Sequence, residues 1–355
     1  MSGRVAIGIG GARRLVHRER VLPYEGELFV AYGSSVGPDD IIGRCPVPSQ
    51  PFALPAAAML DEHASTFAAY LTKRAGDKVV AGETIAAKKG FLGREKAACR
   101  SPKAGTVTAV LETAGQVIIT PTPKQVEVRA GLVGTVVGLL AGRAIVLEVA
   151  GLYAQGLCLA GDETWGPLQA GAEDPAREVE VGDDHSGCVV FGGHAGQESL
   201  SRAAARKVRA LVVGSVSAAA WTDLTAGRFP GLTVLVTEAI GAAPMSDRTF
   251  EGLMEACGSS TFVSAGPTHW QPQVRPEVIV CTGGTGYPEL ALPRPEPGAE
   301  VRITAGPFVG RWGRLAKMGN KLYDFPTGYV GEAAEVILTN GERAVLPLAN
   351  LELVG

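Results

Sequence analysis

Short apolar runs alternate with helix-like segments in the middle of the chain, between residues 186 and 265. The runs are rich in valine and leucine and lie at 188–191, 210–213, 232–236 and 261–263. After the first run, Leu200, Ala203, Ala204 and Val208 have a helical spacing that places them on one face. Because strands and helices alternate over short connections, the pattern predicts right-handed βαβ units and a small parallel sheet.

The clearest helical segment follows Ser246, a residue type that favours the N-cap position. Met245 and Phe250 have the spacing of a hydrophobic staple, which fixes how the chain enters a helix. Gly258 is placed to end this helix. Four positions follow the i, i+3, i+4, i+7 rule and are predicted to face the core: Phe250, Leu253, Met254 and Cys257.

Small and polar residues follow the first three predicted strands. They are Gly192, Gly193, Ser215, Thr237 and Glu238. Ligands of open α/β sheets bind beyond the carboxyl ends of the strands, so these five residues are candidates for a ligand pocket. The alternative is that they serve only tight strand-to-helix turns, which favour the same residue types. The glycine-rich segments 8–11 and 192–196 lack the lysine and the spacing of nucleotide-binding loops.

The front part of the chain, residues 28–152, has the pattern of strands separated by glycine turns. One spacing occurs twice, with an offset of 43 positions: Gly33, Val36, Ile42, and then Gly76, Val79, Ile85. Glycine suits the turn, and β-branched residues suit the strand that follows it. The repeat predicts two similar half-units that face each other.

These half-units are joined by residues 101–110, which include Gly105. Together they resemble the barrel-sandwich hybrid fold of biotinyl and lipoyl carrier domains, and the related domains of Rnf-type electron-transfer subunits. The carrier domains modify a lysine 11 residues before the glycine equivalent to Gly105, where this chain has Arg94 and its nearest lysine is Lys96. Because a guanidinium stays protonated and is not acylated, the resemblance implies a structural or docking domain without covalent biotin or lipoate.

The C-terminal stretch follows a proline-rich segment at 288–297. It has a valine strand, a Gly306-Pro307-Phe308 turn, and further glycines at 310 and 313. Beyond them, Asn340-Gly341 lies between two apolar runs, which is a strong signal for a β-hairpin. The stretch resembles the KOW motif of bacterial elongation factors and some ribosomal proteins. This resemblance implies an SH3-like barrel that binds RNA or protein.

A basic segment with aromatic residues lies inside this stretch and is predicted to form a loop. Its candidate nucleic-acid or partner-binding residues are Arg311, Trp312, Arg314, Lys317, Lys321 and Tyr323. Aromatic rings can stack on bases while cations hold phosphates. The same residues also suit a solvated loop over a core tryptophan. Residues 298–355 carry six basic and six acidic residues, so the net charge of this stretch does not favour nucleic acid.

Composition narrows the class of protein. The formal net charge is −3, so the chain as a whole does not attract nucleic acid or anionic lipid. The six cysteines contain no CxxC pair, which favours reduced thiols in a cytoplasmic protein. The most apolar segment, 132–152, is interrupted by Arg143 and Glu148, which argues against a membrane span.

The metal-protease motif HExxH is not present in the sequence, and its five histidines lack metal-ligand spacing. The densest titratable cluster is Asp183-Asp184-His185, for which a polar linker and acid–base chemistry are the two interpretations.

The sequence therefore predicts a multidomain, β-rich plus α/β protein. The predicted domains are a β-rich region with the barrel-sandwich hybrid at 1–184, a small parallel α/β domain at 185–287, and a linker with the KOW-like barrel at 288–355. As a whole the chain resembles bacterial proteins that join a lipoyl-like front half to a KOW-like tail, and this resemblance implies no established activity. We expect a non-catalytic binding or assembly protein that acts on protein partners, with no cofactor or metal. The alternatives are an RNA-associated factor and a small-molecule-binding protein, and a homo-oligomer is left open.

Overall fold

The computed structural model describes residues 6–8, 11–89, 95–265, 275–289 and 296–354. This part of the chain is β-rich and forms several sheets, which confirms the coarse fold prediction. The strands are β1 (Ala6–Gly8), β2 (Ala12–Val21), β3 (Glu27–Leu28), β4 (Ser35–Val36), β5 (Ile41–Val47), β6 (Phe52–Leu54), β7 (Lys78–Val79), β8 (Thr84–Lys89), β9 (Glu95–Arg100), β10 (Gly105–Leu111), β11 (Gln116–Pro121), β12 (Lys124–Arg129), β13 (Gly134–Leu140), β14 (Ala144–Gln155), β15 (Cys158–Ala160), β16 (Thr164–Ala170), β17 (Val189–Ala195), β18 (Ala210–Val216), β19 (Thr233–Ile240), β20 (Ser260–Ser264), β21 (Glu277–Cys281), β22 (Glu300–Ile303), β23 (Trp312–Asp324), β24 (Val330–Leu338), β25 (Arg343–Pro347) and β26 (Leu351–Val354). The α-helices are α1 (Ala56–Met59), α2 (Gln197–Ala205), α3 (Ala218–Thr225) and α4 (Asp247–Glu255), and short 3₁₀ turns lie at Phe67–Tyr70, Glu112–Ala114, Asp183–His185 and Leu348–Asn350.

A parallel set of four strands forms the centre of the α/β part. Strand β16 pairs with β17, β17 with β18 and β18 with β19, all in parallel. Helices α2 and α3 cover one face of these strands and α4 covers the other. The prediction that residues 261–263 add a further parallel strand is wrong, because β20 pairs antiparallel with both β16 and β21.

The sheet does not end at the predicted division between residues 184 and 185. It contains eleven strands, and β14, β15 and β16, which precede residue 184, pair with β21, β19 and β17 respectively. On the other side of β14, the ten-residue strand β2 pairs along its whole length. The front part and the α/β part therefore share one continuous hydrogen-bonded sheet.

The repeated spacing of the front part has the same backbone conformation at its glycine in both copies. Gly33 and Gly76 both have positive φ angles, of 83° and 96°. Their N–H groups donate to the carbonyls of Val136 and Val107, at 2.8 and 2.7 Å. The valines and isoleucines, however, enter two different cores: Val36 and Ile42 pack with β13 and β14, whereas Val79 and Ile85 pack with β10 and β11. The repeat is thus real in conformation, but each copy has its own core.

The C-terminal stretch forms a six-stranded sheet in the order β1-β26-β22-β23-β24-β25. The hairpin predicted around Asn340-Gly341 is present between β24 and β25, and Gly341 has a φ of 84°. The basic segment predicted as a loop is instead strand β23, which pairs with β24 over most of its 13 residues. Strand β1 comes from the start of the chain and joins this sheet in parallel with β26.

Candidate functional site

Gly192 and Gly193 do not lie at a strand tip. Strand β17 extends to Ala195, so both glycines are inside it and buried. A Cβ atom on Gly193 would lie 2.2 Å from the carbonyl oxygen of Pro175, and one on Gly192 would lie 2.8 Å from the Cβ of Val179. These glycines allow the segment 175–179 to approach the strand closely, and this approach explains them better than ligand binding does.

Ser215 and Thr237 are occupied by hydrogen bonds within the protein. The fully buried Ser215 hydroxyl donates to the carbonyl of Ala243 at 2.6 Å and lies 3.0 Å from Nδ1 of His194. Thr237 Oγ1 donates to the carbonyl of Val213 at 3.3 Å. Ser215 therefore holds the loop at Ala243, and Thr237 binds the neighbouring strand β18, so both predicted ligand residues have partners within the protein.

Glu238 belongs to a buried network of charges that connects β19 to the C-terminal sheet. Its carboxylate pairs with Arg302 of β22 and accepts a hydrogen bond from the N–H of Ser246 at 3.2 Å. Arg302 also donates through Nε to Glu352 of β26 at 2.7 Å, and through both terminal nitrogens to the carbonyl of Thr237, at 3.3 and 3.2 Å. The side chains of Glu238, Arg302 and Glu352 are 9%, 9% and 3% exposed.

Arg275 completes this network by pairing with the other oxygen of Glu352. The charges of two arginines and two carboxylates thus compensate each other, and all four side chains are largely buried. Burial raises the pKa of Glu238 above its ordinary value, and the nearby Arg302 opposes that shift. The predicted ligand residue Glu238 is therefore a structural contact between two sheets, which sequence reasoning missed because its partner Arg302 is 64 positions away.

An open cavity of about 430 Å³ lies at a different place, beside α4. Its lining combines four carboxylates with three apolar residues: Glu173, Asp247, Glu251, Glu255, and Pro175, Phe250, Met254. Glu255 pairs with Arg13 of β2 at 3.2 Å. Met254 is predicted from the sequence to face the core, but it lines this groove and is 42% exposed. Cys257, predicted on the same core face, is also exposed.

The candidate binding residues of the C-terminal stretch are spread along β23. Arg311 and Arg314 are exposed, and Arg311 lies over the ring of Phe308 and pairs with Glu342 at 3.7 Å. Trp312 is half-buried and lies opposite Arg302 in the register, so it shares the face that carries the buried network. Lys317 is exposed, whereas the side chain of Lys321 lies outside the described residues.

The end of the β23–β24 hairpin carries four exposed apolar side chains. We call this surface the hairpin end; it comprises Leu322, Tyr323, Tyr329 and Val330, with exposed fractions of 70%, 46%, 45% and 56%. The buried Phe325 supports it, since its ring centroid lies 4.7 Å from that of Tyr323 and 5.8 Å from that of Tyr329. Only Tyr323 of this surface was singled out from the sequence, because the strand was predicted as a loop.

The remaining candidates have structural surroundings or lie outside the described residues. His185 is buried, and its Nδ1 accepts a hydrogen bond from the N–H of Gly182 at 3.1 Å, so the Asp183–His185 cluster forms a 3₁₀ turn. Arg94, the residue at the carrier position, lies outside the described residues, and Lys96 is exposed on β9. Within the described residues, no three His, Cys, Asp or Glu side chains are grouped so as to hold a metal ion.

The helices in the described part of the chain are all too short or too polar to span a membrane. Neither the models of protein families nor the curated proteins contain a match to this chain.

Proposed function

We propose that this protein is a non-catalytic binding or assembly protein that contacts a protein partner through the hairpin end. The observation that supports this proposal is the exposure of two tyrosines, a leucine and a valine at one end of a hairpin. Exposed apolar surface marks interaction sites in folded proteins, and tyrosine is enriched at the centres of protein interfaces. Two of the four residues are tyrosines, which combine an apolar ring with a polar tip.

The proposal also includes a fold type for the front part and one for the C-terminal sheet. We assign the front part to the barrel-sandwich hybrid type on the strength of the Gly33 and Gly76 repeat. The C-terminal sheet is assigned to the SH3-like type on its strand order and on the short 3₁₀ turn Leu348–Asn350 before the last strand. Such small barrels serve many functions, so the function rests on the exposed surface and not on the fold.

The test is capture of partners from native cells with the tagged full-length chain, followed by mass spectrometry. The variant pair is Tyr323→Ser with Tyr329→Ser, and the control is Val309→Ser, which alters a residue of the same stretch that is 56% exposed. We expect a nuclease-resistant protein partner that is retained by the control and lost by the double variant. A partner set that is identical for all three proteins would contradict the proposal.

The sheet register favours RNA binding as a second candidate function. Arg314, Lys317 and Tyr323 lie opposite Ile337, Glu335 and Gly331 of β24. These three β24 positions differ by even numbers, so their partners share one face of the sheet. Among the described residues, Arg314 and Lys317 have no ion-pair partner. Two cations and a tyrosine on one face are what a single-stranded nucleic acid needs for phosphate contacts and base stacking.

A titration with single-stranded RNA at physiological salt distinguishes the two functions. Because the stretch has a balanced charge, we expect a Kd no tighter than about 10⁻⁶ to 10⁻⁴ M, as for non-specific contact. Nanomolar affinity that is lost in the Arg314→Ser, Lys317→Ser double variant would make RNA the preferred partner. Small-molecule binding by Ser215 and Glu238 is not proposed, since both are engaged in internal contacts.

A further inference from the structure

Strand β25 is a sheet edge of the C-terminal stretch. Within the described residues it pairs only with β24, and it ends the strand order on that side. Its five residues are Arg343, Ala344, Val345, Leu346 and Pro347. Ala344 and Leu346 are buried in the core, whereas Val345 is 48% exposed. An edge strand presents a row of backbone donors and acceptors that another strand can use.

The hydrogen-bonding phase of β25 shows which of its backbone groups face outward. The N–H of Leu338 donates to the carbonyl of Glu342 at 2.8 Å, which fixes the first bonded position of the hairpin. Bonded and non-bonded pairs alternate along antiparallel strands, so the next bonded residues of β25 are Ala344 and Leu346. Pro347 lies opposite Ala333 in a non-bonded pair. This agrees with the assignment, because proline has no N–H to donate to β24. The N–H and the carbonyl of Val345 consequently face away from β24.

The side chains of β25 do not protect this edge against pairing with a further strand, whereas those of the edge strand β12 do. Strand β12 ends a three-stranded sheet and carries exposed Lys124, Glu127 and Arg129 along its length. Charged side chains on an edge oppose pairing with another strand. The charge at the start of β25, Arg343, is held by Glu335 at 2.8 Å, and residues 344–347 are uncharged. The centre of β25 is therefore an apolar side chain with an outward-facing peptide group.

We infer that β25 pairs in antiparallel fashion with β25 of a second copy of this chain, about a two-fold axis at Val345. In this register Val345 lies opposite its own counterpart, and each donates its N–H to the other's carbonyl. Arg343 lies opposite Pro347, and its N–H donates to the proline carbonyl, so the missing proline N–H costs only one bond on each side.

A second copy fits this edge without opposing like charges. The two-fold register places arginine opposite the neutral proline, so no like charges are opposed across the new strand pair. The two exposed valine side chains contact each other on one face and leave water together. A foreign extended peptide would need its own matching sequence, whereas the second copy supplies the same complementary edge by symmetry. The dimer uses an edge that is separate from the hairpin end, so it is independent of the function proposed above.

The test is the molar mass of the purified full-length chain, measured by light scattering over a range of concentrations. We expect a dimer of twice the 36.7 kDa chain mass. Val345→Lys places two ammonium groups opposite each other and should raise the dimer dissociation constant about tenfold or more. Val345→Thr keeps the N–H and the β-branched shape and should remain dimeric. Val330→Lys, at an exposed valine of the hairpin end, is the matched control and should also remain dimeric.

A cross-linking measurement locates the interface. A residue opposite its own counterpart in a bonded antiparallel pair has a Cα–Cα distance of about 5.5 Å, which suits a disulfide. Under mild oxidation, Val345→Cys should give a disulfide between the two introduced cysteines, identified by peptide mass spectrometry, and Val330→Cys should not. A wild-type chain that is monomeric at every concentration overturns the inference, and so does a dimer that Val345→Lys leaves unchanged or that joins no introduced cysteines. If no partner is captured through the hairpin end but the chain is still a dimer, the proposed function fails and the dimer inference stands.

Discussion

Individual residues at the carboxyl edge of the α/β sheet show how one residue type can serve two purposes. The sequence makes Ser215, Thr237 and Glu238 candidates for ligand binding, because polar residues at strand ends suit ligands. The structure gives each an internal partner, and Glu238 pairs with Arg302, which is far away in sequence. A sequence read locally cannot show such a partner, because a carboxylate that binds a ligand and one that pairs with a distant arginine have the same local pattern.

Arg302 is the residue whose loss should cost the most in this network. Arg302→Ala would leave Glu238 as a buried carboxylate without its counter-ion and Glu352 with Arg275 alone. Breaking a buried ion pair from one side destabilises a protein by about 3–5 kcal/mol. Arg343→Ala, in the same sheet, removes an exposed pair with Glu335 and should cost no more than about 1 kcal/mol. Urea denaturation of both variants measures the difference. Equal losses of stability would show that the buried network does not hold the two sheets together.

At the scale of elements, the helices and hairpins with strong local signals were predicted well. Helix α4 begins after Ser246, whose hydroxyl accepts from the N–H of Thr249 at 3.3 Å, and Met245 and Phe250 are both buried as the staple requires. Strand β23 was missed because its outward positions are charged and its alternation is interrupted by register shifts after Leu315 and Met318. The antiparallel direction of β20 was also unpredictable, since it depends on pairing with β16 and β21 and not on the residues of β20.

The repeated glycine turns give a matched prediction at this scale. Gly33 and Gly76 both have positive φ, and a Cβ atom at either position would meet no atom within 4 Å. Alanine there would be penalised by backbone conformation alone, so Gly33→Ala and Gly76→Ala should each reduce the free energy of unfolding by about 1 kcal/mol. Asparagine, which tolerates this conformation, should cost less at both sites. Thermal or urea denaturation checks this, and clearly unequal losses at the two sites would argue against the structural equivalence of the repeats.

For the whole molecule, the eleven-stranded sheet joins regions that the sequence divided at residue 184. The predicted division lies where the period of the hydrophobic pattern changes. Such a change indicates a change of local secondary structure. Periodicity carries no information about which strands pair across it. The pairing of β14 with β21 and of β16 with β17 instead makes residues from both sides necessary for one sheet.

This shared sheet predicts that residues 185–287 do not fold alone. Such a fragment would lack β14 and β16 and would expose the apolar edges of β17, β20 and β21. We expect no cooperative thermal transition by circular dichroism for the fragment, whereas the full-length chain unfolds cooperatively. The full-length chain measured under the same buffer and concentration is the control. A fragment with a sharp transition and dispersed amide resonances would show that the α/β part is an independent domain.

The pairing of β1 with β26 has a consequence for how the protein is made. Ala6 lies opposite Glu352, so the ribosome must synthesise all the residues between them before β1 has its partner. At about 5–20 residues per second, this delay is roughly 20–70 s, far longer than the microseconds in which a local hairpin closes. During that time the nascent β1 segment is without its native strand, and the six-stranded sheet can be completed only as a late step of folding. The first and the last strands of the described residues can therefore pair only after all the residues between them have been synthesised.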